Sequence, residues 1–240
     1  MLALVSCRKT SPVDIRVASA ANVQQAMEEI ARSFEAETGW KAGIIPGSSG
    51  KLTAQIEQGA PYDVFVSADT LYPNALHAMQ RTIGSPVTYA HGTLVLWWRD
   101  SSLQMDYSRL ADAQISHIAL PNPKTAPYGR AALQALEKSG YLSALAPRLI
   151  YGESVSQASQ FMFSGAAQAG FTAQSVVLAA QAKESGKWLV VADTLYDPII
   201  QSMVLLKTKN GNSEAALAFF NYMQHENAQK VLIKYGYSVP

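Results

Sequence analysis

The stretch Ile45-Pro46-Gly47-Ser48-Ser49-Gly50-Lys51-Leu52 decides how the rest of the chain is read. Before it, residues 41–45 form a short apolar run that reads as a strand. After it, Leu52 and Ile56 stand as on the buried face of a helix that stops at Gly59. Ser49 falls at the predicted N-cap, where a side-chain oxygen accepts a backbone N–H. Such a junction also leaves several N–H groups unpaired at the positive end of a helix dipole, and an oxyanion can use all of them. Taken alone, the plainer reading is a polar loop with a good cap. Repetition of the pattern gives it meaning.

Working outward, the alternation of Ile15 and Val17 predicts a strand over residues 14–18. Asn22 reads as an N-cap with Gln25 at the capping-box position, ahead of Val23, Met27, Ile30 and Phe34 at helical spacing, and Gly39 ends that helix. A third strand, 63–67, leads through Asp69 into a helix holding Leu71, Leu76 and Met79. This βαβαβα order implies a parallel sheet with helices on both faces. The rhythm breaks at a predicted Ser85-Pro86 turn, followed by an apolar strand over 92–98. A second set of units then has strands at 117–120, 148–151, 169–172 and 188–192, with helices between them. A last apolar strand, 202–206, precedes two C-terminal helices.

The apolar strands 94–98 and 202–206 are read as crossings between two α/β lobes, stiff because no Gly/Ser-rich or Pro-rich linker appears. This assigns residues 13–91 with 203–240 to the first lobe and 92–202 to the second. The alternative is one large α/β domain.

The chain's 240 residues are ample for a real core, and 48% hydrophobic with 15% charged residues describe a globular protein. A net charge of +1 gives no support for a nucleic-acid partner, and no apolar stretch is long enough to cross a bilayer. Cys7 is the single cysteine, so no internal disulfide forms. Leu4-Val5-Ser6-Cys7, followed by Arg8 and Lys9, resembles a bacterial lipobox, whose cysteine is lipidated after cleavage. Residues 1–12 are read as the remainder of such a leader and its tether. Too few residues stand before the motif for a charged n-region and an apolar core of about 7–15 residues, so the reading expects the leader to start upstream.

Small polar strand-to-helix junctions recur at Ser19-Ala20-Ala21-Asn22, Gly47-Ser48-Ser49-Gly50, Ala126-Pro127-Tyr128-Gly129 and Gly152-Glu153-Ser154-Val155. Two belong to each expected lobe. In open α/β sheets ligands bind beyond the carboxyl ends of strands, where such junctions gather. Enzyme readings fit less well. A phosphate-binding P-loop needs glycine at 45 and Ser or Thr at 52, but Ile45 and Leu52 stand there. Gly47-Ser48-Ser49-Gly50 misses the G-x-S-x-G nucleophile elbow by one residue. His77, His91, His117 and His225 lack metal-ligand spacing, and Trp97 and Trp98 read as packing of a crossing strand.

The order and wording of these motifs resemble the molybdate-binding proteins of bacterial ABC transporters, extracytoplasmic receptors of the periplasmic binding protein class. The resemblance runs from Val13 to Pro240. It is carried by residues 15–22, by 47–52, by Gly59-Ala60-Pro61-Tyr62-Asp63 with the strand after it, by Ala126-Pro127-Tyr128-Gly129 with its flanks, and by Tyr235-Gly236-Tyr237. It implies a two-lobed type II fold, each lobe a mostly parallel sheet flanked by helices, with the ligand in the cleft. The implied anion ligands are Asn22 and Ser49 in the first lobe and Tyr128 and Val155 in the second. Side-chain oxygen and backbone N–H serve at the first two, and backbone N–H at Val155. Many relatives carry a tyrosine where this chain has Ala173. That departure removes one hydroxyl, for which Tyr128 is a candidate replacement from the opposite wall.

The resemblance further implies a monomer that captures molybdate, and tungstate with it, for an inner-membrane permease, with no cofactor and no catalysis. The location is periplasmic or extracytoplasmic, with anchoring through Cys7. The alternatives are a same-fold receptor for another oxyanion such as sulfate, or an α/β enzyme with Ser49 as nucleophile. A neutral site is energetically sufficient. About seven hydrogen bonds to charge, at ~1.5–3 kcal/mol each, give on the order of 10–20 kcal/mol gross, against ~12 kcal/mol net for nanomolar binding. Lys51 is accordingly read as a solvated helix-face lysine.

Overall fold

The computed structural model describes residues 13–100, 106–179, 186–208 and 213–240. Cys7 and the expected tether over residues 1–12 lie outside the described residues. The chain opens as β1 (Ile15–Ala20), a 3-10 turn (Ala21–Val23), α1 (Gln24–Thr38), β2 (Ala42–Gly47), α2 (Ser49–Glu57), β3 (Val64–Val66), α3 (Leu71–Ala78) and β4 (Thr82–Gly92). It continues as β5 (Leu94–Trp98), β6 (Ile118–Pro121), α4 (Pro127–Lys138), α5 (Leu142–Leu145), β7 (Leu149–Gly152), α6 (Val155–Ser164), β8 (Ala169–Ala173), α7 (Gln174–Leu178) and β9 (Lys187–Val190). It ends with β10 (Ile199–Leu206), α8 (Ser213–Tyr222) and α9 (Glu226–Lys234).

Two sheets result, in the orders β2-β1-β3-β10-β4 and β7-β6-β8-β5-β9. Each carries the parallel core of its βα units, with β1 between β2 and β3, and β6 between β7 and β8. The remaining pairings are antiparallel, because they are made by strands next to the crossings. This is a two-lobed α/β architecture of the type II periplasmic binding protein kind. The chain passes to the second sheet between Gly92 and Leu94 and returns between Val190 and Ile199.

Two local expectations are corrected. A return after residue 202 would cut β10, whose residues Ile199 to Leu206 all belong to the first sheet and whose Ile199 faces Gly92 of β4. The polar but buried Gln201 and Ser202 interrupt the apolar run by which the strand was recognised. Ser85-Pro86 is no turn but lies inside β4. That strand is at the sheet edge, where proline gives up no ladder N–H. Irregular register against β10 accommodates it.

Each sheet buries its own apolar layer. On the first, α1 places Met27, Ile30 and Phe34 inward, and Gly39 ends it in a left-handed conformation (φ 79°). Phe34 meets Phe219 edge-on at 5.1 Å and Tyr222 at 5.4 Å, which brings the C-terminal helix α8 back onto the first lobe. On the second, Trp97 and Trp98 of β5 are fully buried, and Trp97 meets Phe163 edge-on at 5.7 Å. Burial of such side chains contributes about 1.5–3 kcal/mol each.

At the first crossing the lobes approach closely. A Cβ added at Gly92 would fall on the Tyr128 hydroxyl and 2.7 Å from Gln201 Nε2, and both residues are completely buried. Neither group has room to retreat. Gly92→Ala is expected to destabilise the fold by about 1–3 kcal/mol, the usual cost of overpacking. Calorimetry should register a fall of several degrees in Tm, and an unchanged Tm would show that the crossing is not packed this tightly.

Candidate oxyanion-binding site

The expected ligand residues sit where the first turns of α2, α4 and α6 meet the 3-10 turn after β1. Each helix follows a strand in the chain, and its first N–H groups have no intrahelical acceptor. Contacts between helix starts bring them together. Gly50 N–H donates to Thr125 carbonyl at 2.9 Å, joining the start of α2 to the loop before α4. Lys51 Nζ pairs with Glu153 at 2.5 Å, joining α2 to the loop before α6. Lys51 is therefore an ion-pair partner across the cleft rather than merely a solvated lysine. The turn 21–23 lies against α6 and α7. Two cavities flank the meeting point. One, of about 250 Å³, is lined by Gly47, Ser48, Lys51, Glu153 and Ser154. The other, of about 280 Å³, is lined by Asn22, Gln25, Ser159, Gln160 and Ser175.

The caps differ from expectation. The N-cap of α2 is Ser48, not Ser49. Its Oγ makes no capping bond and is buried without a partner. Ser49 is the first helical residue, 1% exposed, and its Oγ accepts the Ala68 N–H at 3.0 Å, which ties α2 to the segment after β3. Asn22 is not a helix cap either. It sits within the 3-10 turn, 3% exposed, because its side chain has distant partners that outcompete a local one. Its Nδ2 donates to Gln201 Oε1 at 2.8 Å and to the Tyr237 hydroxyl at 3.0 Å, while its Oδ1 is buried and unpaired. Ser154 does cap α6, accepting from Gln157 N–H at 3.3 Å, and leaves Val155 N–H in the open first turn.

Tyr128 is the second residue of α4, so its backbone N–H is a first-turn donor, while its ring is completely buried. The hydroxyl ends near Gln201 beside Gly92 and within reach of Asn22, with no hydrogen bond of good geometry. Burial pushes its pKa well above the usual tyrosine value, and burial does the same for Tyr89 and Tyr237. All three remain neutral O–H groups across the physiological range. Ala173 closes β8, is fully buried and brings no polar group. Thus Asn22 and Tyr128 approach each other directly, whereas Ser49 and Val155 are linked through Ser48, Lys51, Glu153 and Ser154.

The electrostatics of the site are close to neutral. Arg130 of α4 pairs with Asp69 across the cleft and stacks over the Tyr72 ring at 5.6 Å. With Lys51 also paired, the Lys51 and Arg130 side chains at the helix starts each already have a carboxylate. What remains toward the interior is a set of N–H and O–H donors. A serine nucleophile would need a base, and the histidines contact other groups. His77 Nδ1 meets Thr82 at 2.8 Å, and His225 Nδ1 accepts from Asn227 N–H at 3.5 Å. Among the described residues no group of three or more His, Cys, Asp or Glu side chains could hold a metal ion.

Sequence reasoning missed Gln201, Tyr237, Ser175 and Ser48 as members of this region. Ser175 Oγ donates to Asn22 carbonyl at 2.7 Å and lies 2.9 Å from the Tyr237 hydroxyl. The signals available were a lone polar pair, Gln201-Ser202, in an apolar strand, and a tyrosine near the C-terminus. Neither points to a partner.

A family model for bacterial extracellular solute-binding proteins matches residues 15–238. The chain is 39% identical over 225 residues to the molybdate-binding protein ModA of Rhodobacter capsulatus, covering 93% of this chain and 88% of that one. It is 38% identical to ModA of Azotobacter vinelandii over 98% of this chain and 94% of the relative. The solved periplasmic molybdate-binding protein of Azotobacter vinelandii superposes with a TM-score of 0.88 at 36% identity, over 94% of this chain and 99% of that one. The chain belongs to the bacterial extracellular solute-binding proteins, in the family that includes the ModA molybdate-binding proteins.

Proposed function

We propose that this protein captures molybdate in the cleft between its lobes and delivers it to an ABC permease in the inner membrane. The observation that supports this reading most is the convergence of three helix starts and the Asn22 turn beside Lys51 and Arg130, which are each paired with a carboxylate. Removing a dianion from water is costly, and an array of hydrogen bonds must replace its hydration. First-turn N–H groups do this without forming a permanent ion pair. In the proposed site Asn22 contributes its side-chain amide, and Ser49 its N–H with a hydroxyl held in place by Ala68. Tyr128 and Val155 contribute backbone N–H groups from α4 and α6. In this reading the first sheet, with the whole of β10 and its helices, forms one wall, and the second sheet with its helices forms the other. The anion touches both walls at once, so binding favours the closed arrangement.

Tungstate, of the same shape and charge, is proposed as a second ligand, and the protein is proposed to act as a monomer and without catalysis. Outside the cytoplasm, Cys7 is proposed to carry a lipid that keeps the receptor near its permease. One acyl chain gives only marginal attachment, and the two of a diacylglyceryl group make a stable tether. Mass spectrometry of the mature product of the complete gene, made in a bacterial host, should show a diacylglyceryl-type mass increase on Cys7. An unmodified Cys7 would overturn the anchor.

Thermal shift tests the main reading. Molybdate at a hundredfold over its Kd should stabilise the fold by about 2.7 kcal/mol, with tungstate close behind and sulfate at the same concentration far weaker. No shift with molybdate or tungstate would end this assignment, and a shift with sulfate alone would make the protein a sulfate receptor. Ser49→Ala removes a buried hydroxyl that both positions α2 and faces the site. Calorimetric titration should show molybdate affinity lowered by about 10–100-fold, as for loss of one hydrogen bond to charge. Arg130→Met removes the half-exposed pair with Asp69 that favours closure. The expected cost is about 0.2–1 kcal/mol, read as a Kd raised by roughly 1.5–5-fold, mainly through faster release.

A further inference from the structure

Two buried polar atoms in the first lobe have no partner, and they belong to residues that are bonded to each other. Asn22 Oδ1 and Gln201 Nε2 are both unpaired, while Asn22 Nδ2 donates to Gln201 Oε1 at 2.8 Å. The same Gln201 oxygen accepts from the Tyr89 hydroxyl at 3.0 Å. The second Asn22 N–H is taken by Tyr237 at 3.0 Å. In this arrangement both amide hydrogens of Asn22 are spent on the protein, and its side-chain oxygen is buried without a partner. Neither hydrogen is left for an anion.

A terminal amide has a second orientation, a half-turn away, in which its NH₂ and C=O exchange places with little change in shape. Turning Asn22 and Gln201 together keeps the bond between them. Gln201 Nε2 then donates to Asn22 Oδ1 and to the Tyr89 oxygen, and Tyr89 keeps its bond to Ser67 carbonyl, at 3.1 Å in the structure. Tyr237 can move its one hydrogen from Asn22 carbonyl, which keeps the Ser175 Oγ donor, to Asn22 Oδ1. Gln201 Oε1 comes round to the space beside Gly92, where the Tyr128 hydroxyl has no acceptor and can donate to it. Asn22 Nδ2 takes the place of the unpaired Oδ1, with its hydrogens free of protein partners.

We infer that Gln201 is a positioning residue for anion capture: its amide turns in step with that of Asn22 and presents the Asn22 N–H₂ to the bound oxyanion. Turning one amide alone would set N–H against N–H or oxygen against oxygen, so the pair acts as a single two-state element. Tyr89 holds the far end of Gln201, and Tyr237 holds Asn22 from the C-terminal segment. Gln201 is completely buried, so both roles are played inside the protein. The inference rests on the proposed molybdate site and names the residue that orients one of its donors.

A double-mutant cycle on the full chain tests it, with molybdate affinity measured by calorimetric titration. Gln201→Met keeps the volume and removes both hydrogen-bonding ends, and is expected to weaken binding at least tenfold. Asn22→Ala weakens binding by itself, and adding Gln201→Met to it is expected to change Kd by less than twofold, because Gln201 acts through Asn22. Equal losses in the two backgrounds, or an unchanged Kd in Gln201→Met alone, would overturn the inference. Should Gln201→Met fail to fold, Tyr89→Phe serves the same cycle, with a few-fold loss that disappears on the Asn22→Ala background. Failure of the wild-type chain to bind molybdate at all would instead overturn the proposed function.

Discussion

The hydroxyl of Tyr237 joins parts of the chain that lie far apart in sequence. It stands 3.0 Å from Asn22 Nδ2, 2.9 Å from Asn22 carbonyl and 2.9 Å from Ser175 Oγ. Asn22 follows the first strand, Ser175 lies in α7 of the second lobe, and Tyr237 comes near the end of the chain. Around it the C-terminal segment is pressed against α7. Gly236 has φ 81° and sits so close to Leu178 and Gln174 that a side chain there would collide with them. A buried hydrogen-bonded group of this kind is costly to leave half satisfied, so its members fix one another's positions. The Asn22 turn, the base of the cleft and the returning strand β10 all depend on that joint.

How much was legible follows from the sequence distance of the interactions. The βα units, the left-handed stop at Gly39 and the Ser154 cap are set by neighbours within a turn or two, and they appear in the structure where periodicity and capping rules put them. The two-lobed architecture was legible too, because the apolar strand β5 breaks the βα rhythm. Asn22 was misread as a cap because its side chain answers to Gln201 and Tyr237, which are 179 and 215 residues away. Ser48 and Ser49 exchanged roles for a similar reason, since Ala68, 19 residues on, holds the Ser49 hydroxyl. Lys51 looks solvated from its helix face, and only the fold brings Glu153 to it. Polar residues inside a strand, as at Gln201, carry no periodic signal at all.

The charged groups at the rim and the neutral groups inside do different work. Lys51–Glu153 and Arg130–Asp69 both span the cleft, yet their side chains keep much of their solvent contact, apart from the more buried Asp69. Pairs of this kind contribute about 0.2–1 kcal/mol each, and one backbone bond such as Gly50 to Thr125 adds about 1 kcal/mol. Moving a two-state equilibrium from mostly open to mostly closed takes about 5.5 kcal/mol. The rim contacts fall short of that by themselves. They bias closure, and a ligand hydrogen-bonded from both lobes has to complete it.

Pairing the cations at the rim has a further consequence for selectivity. A free lysine or arginine in the cleft would attract any anion and hold it through a field that depends little on geometry. With those charges already matched, discrimination passes to N–H and O–H donors whose positions are set by helix starts and by the buried Asn22 network. Hydrogen bonds fall off steeply with misalignment, so such a site measures where the oxygens of its ligand lie. An anion of the wrong size leaves desolvated donors unpaired and loses more than the missing bonds. That penalty is largest for donors that cannot move, which is why the orientation of one buried amide can weigh as heavily on selectivity as any formal charge in the molecule.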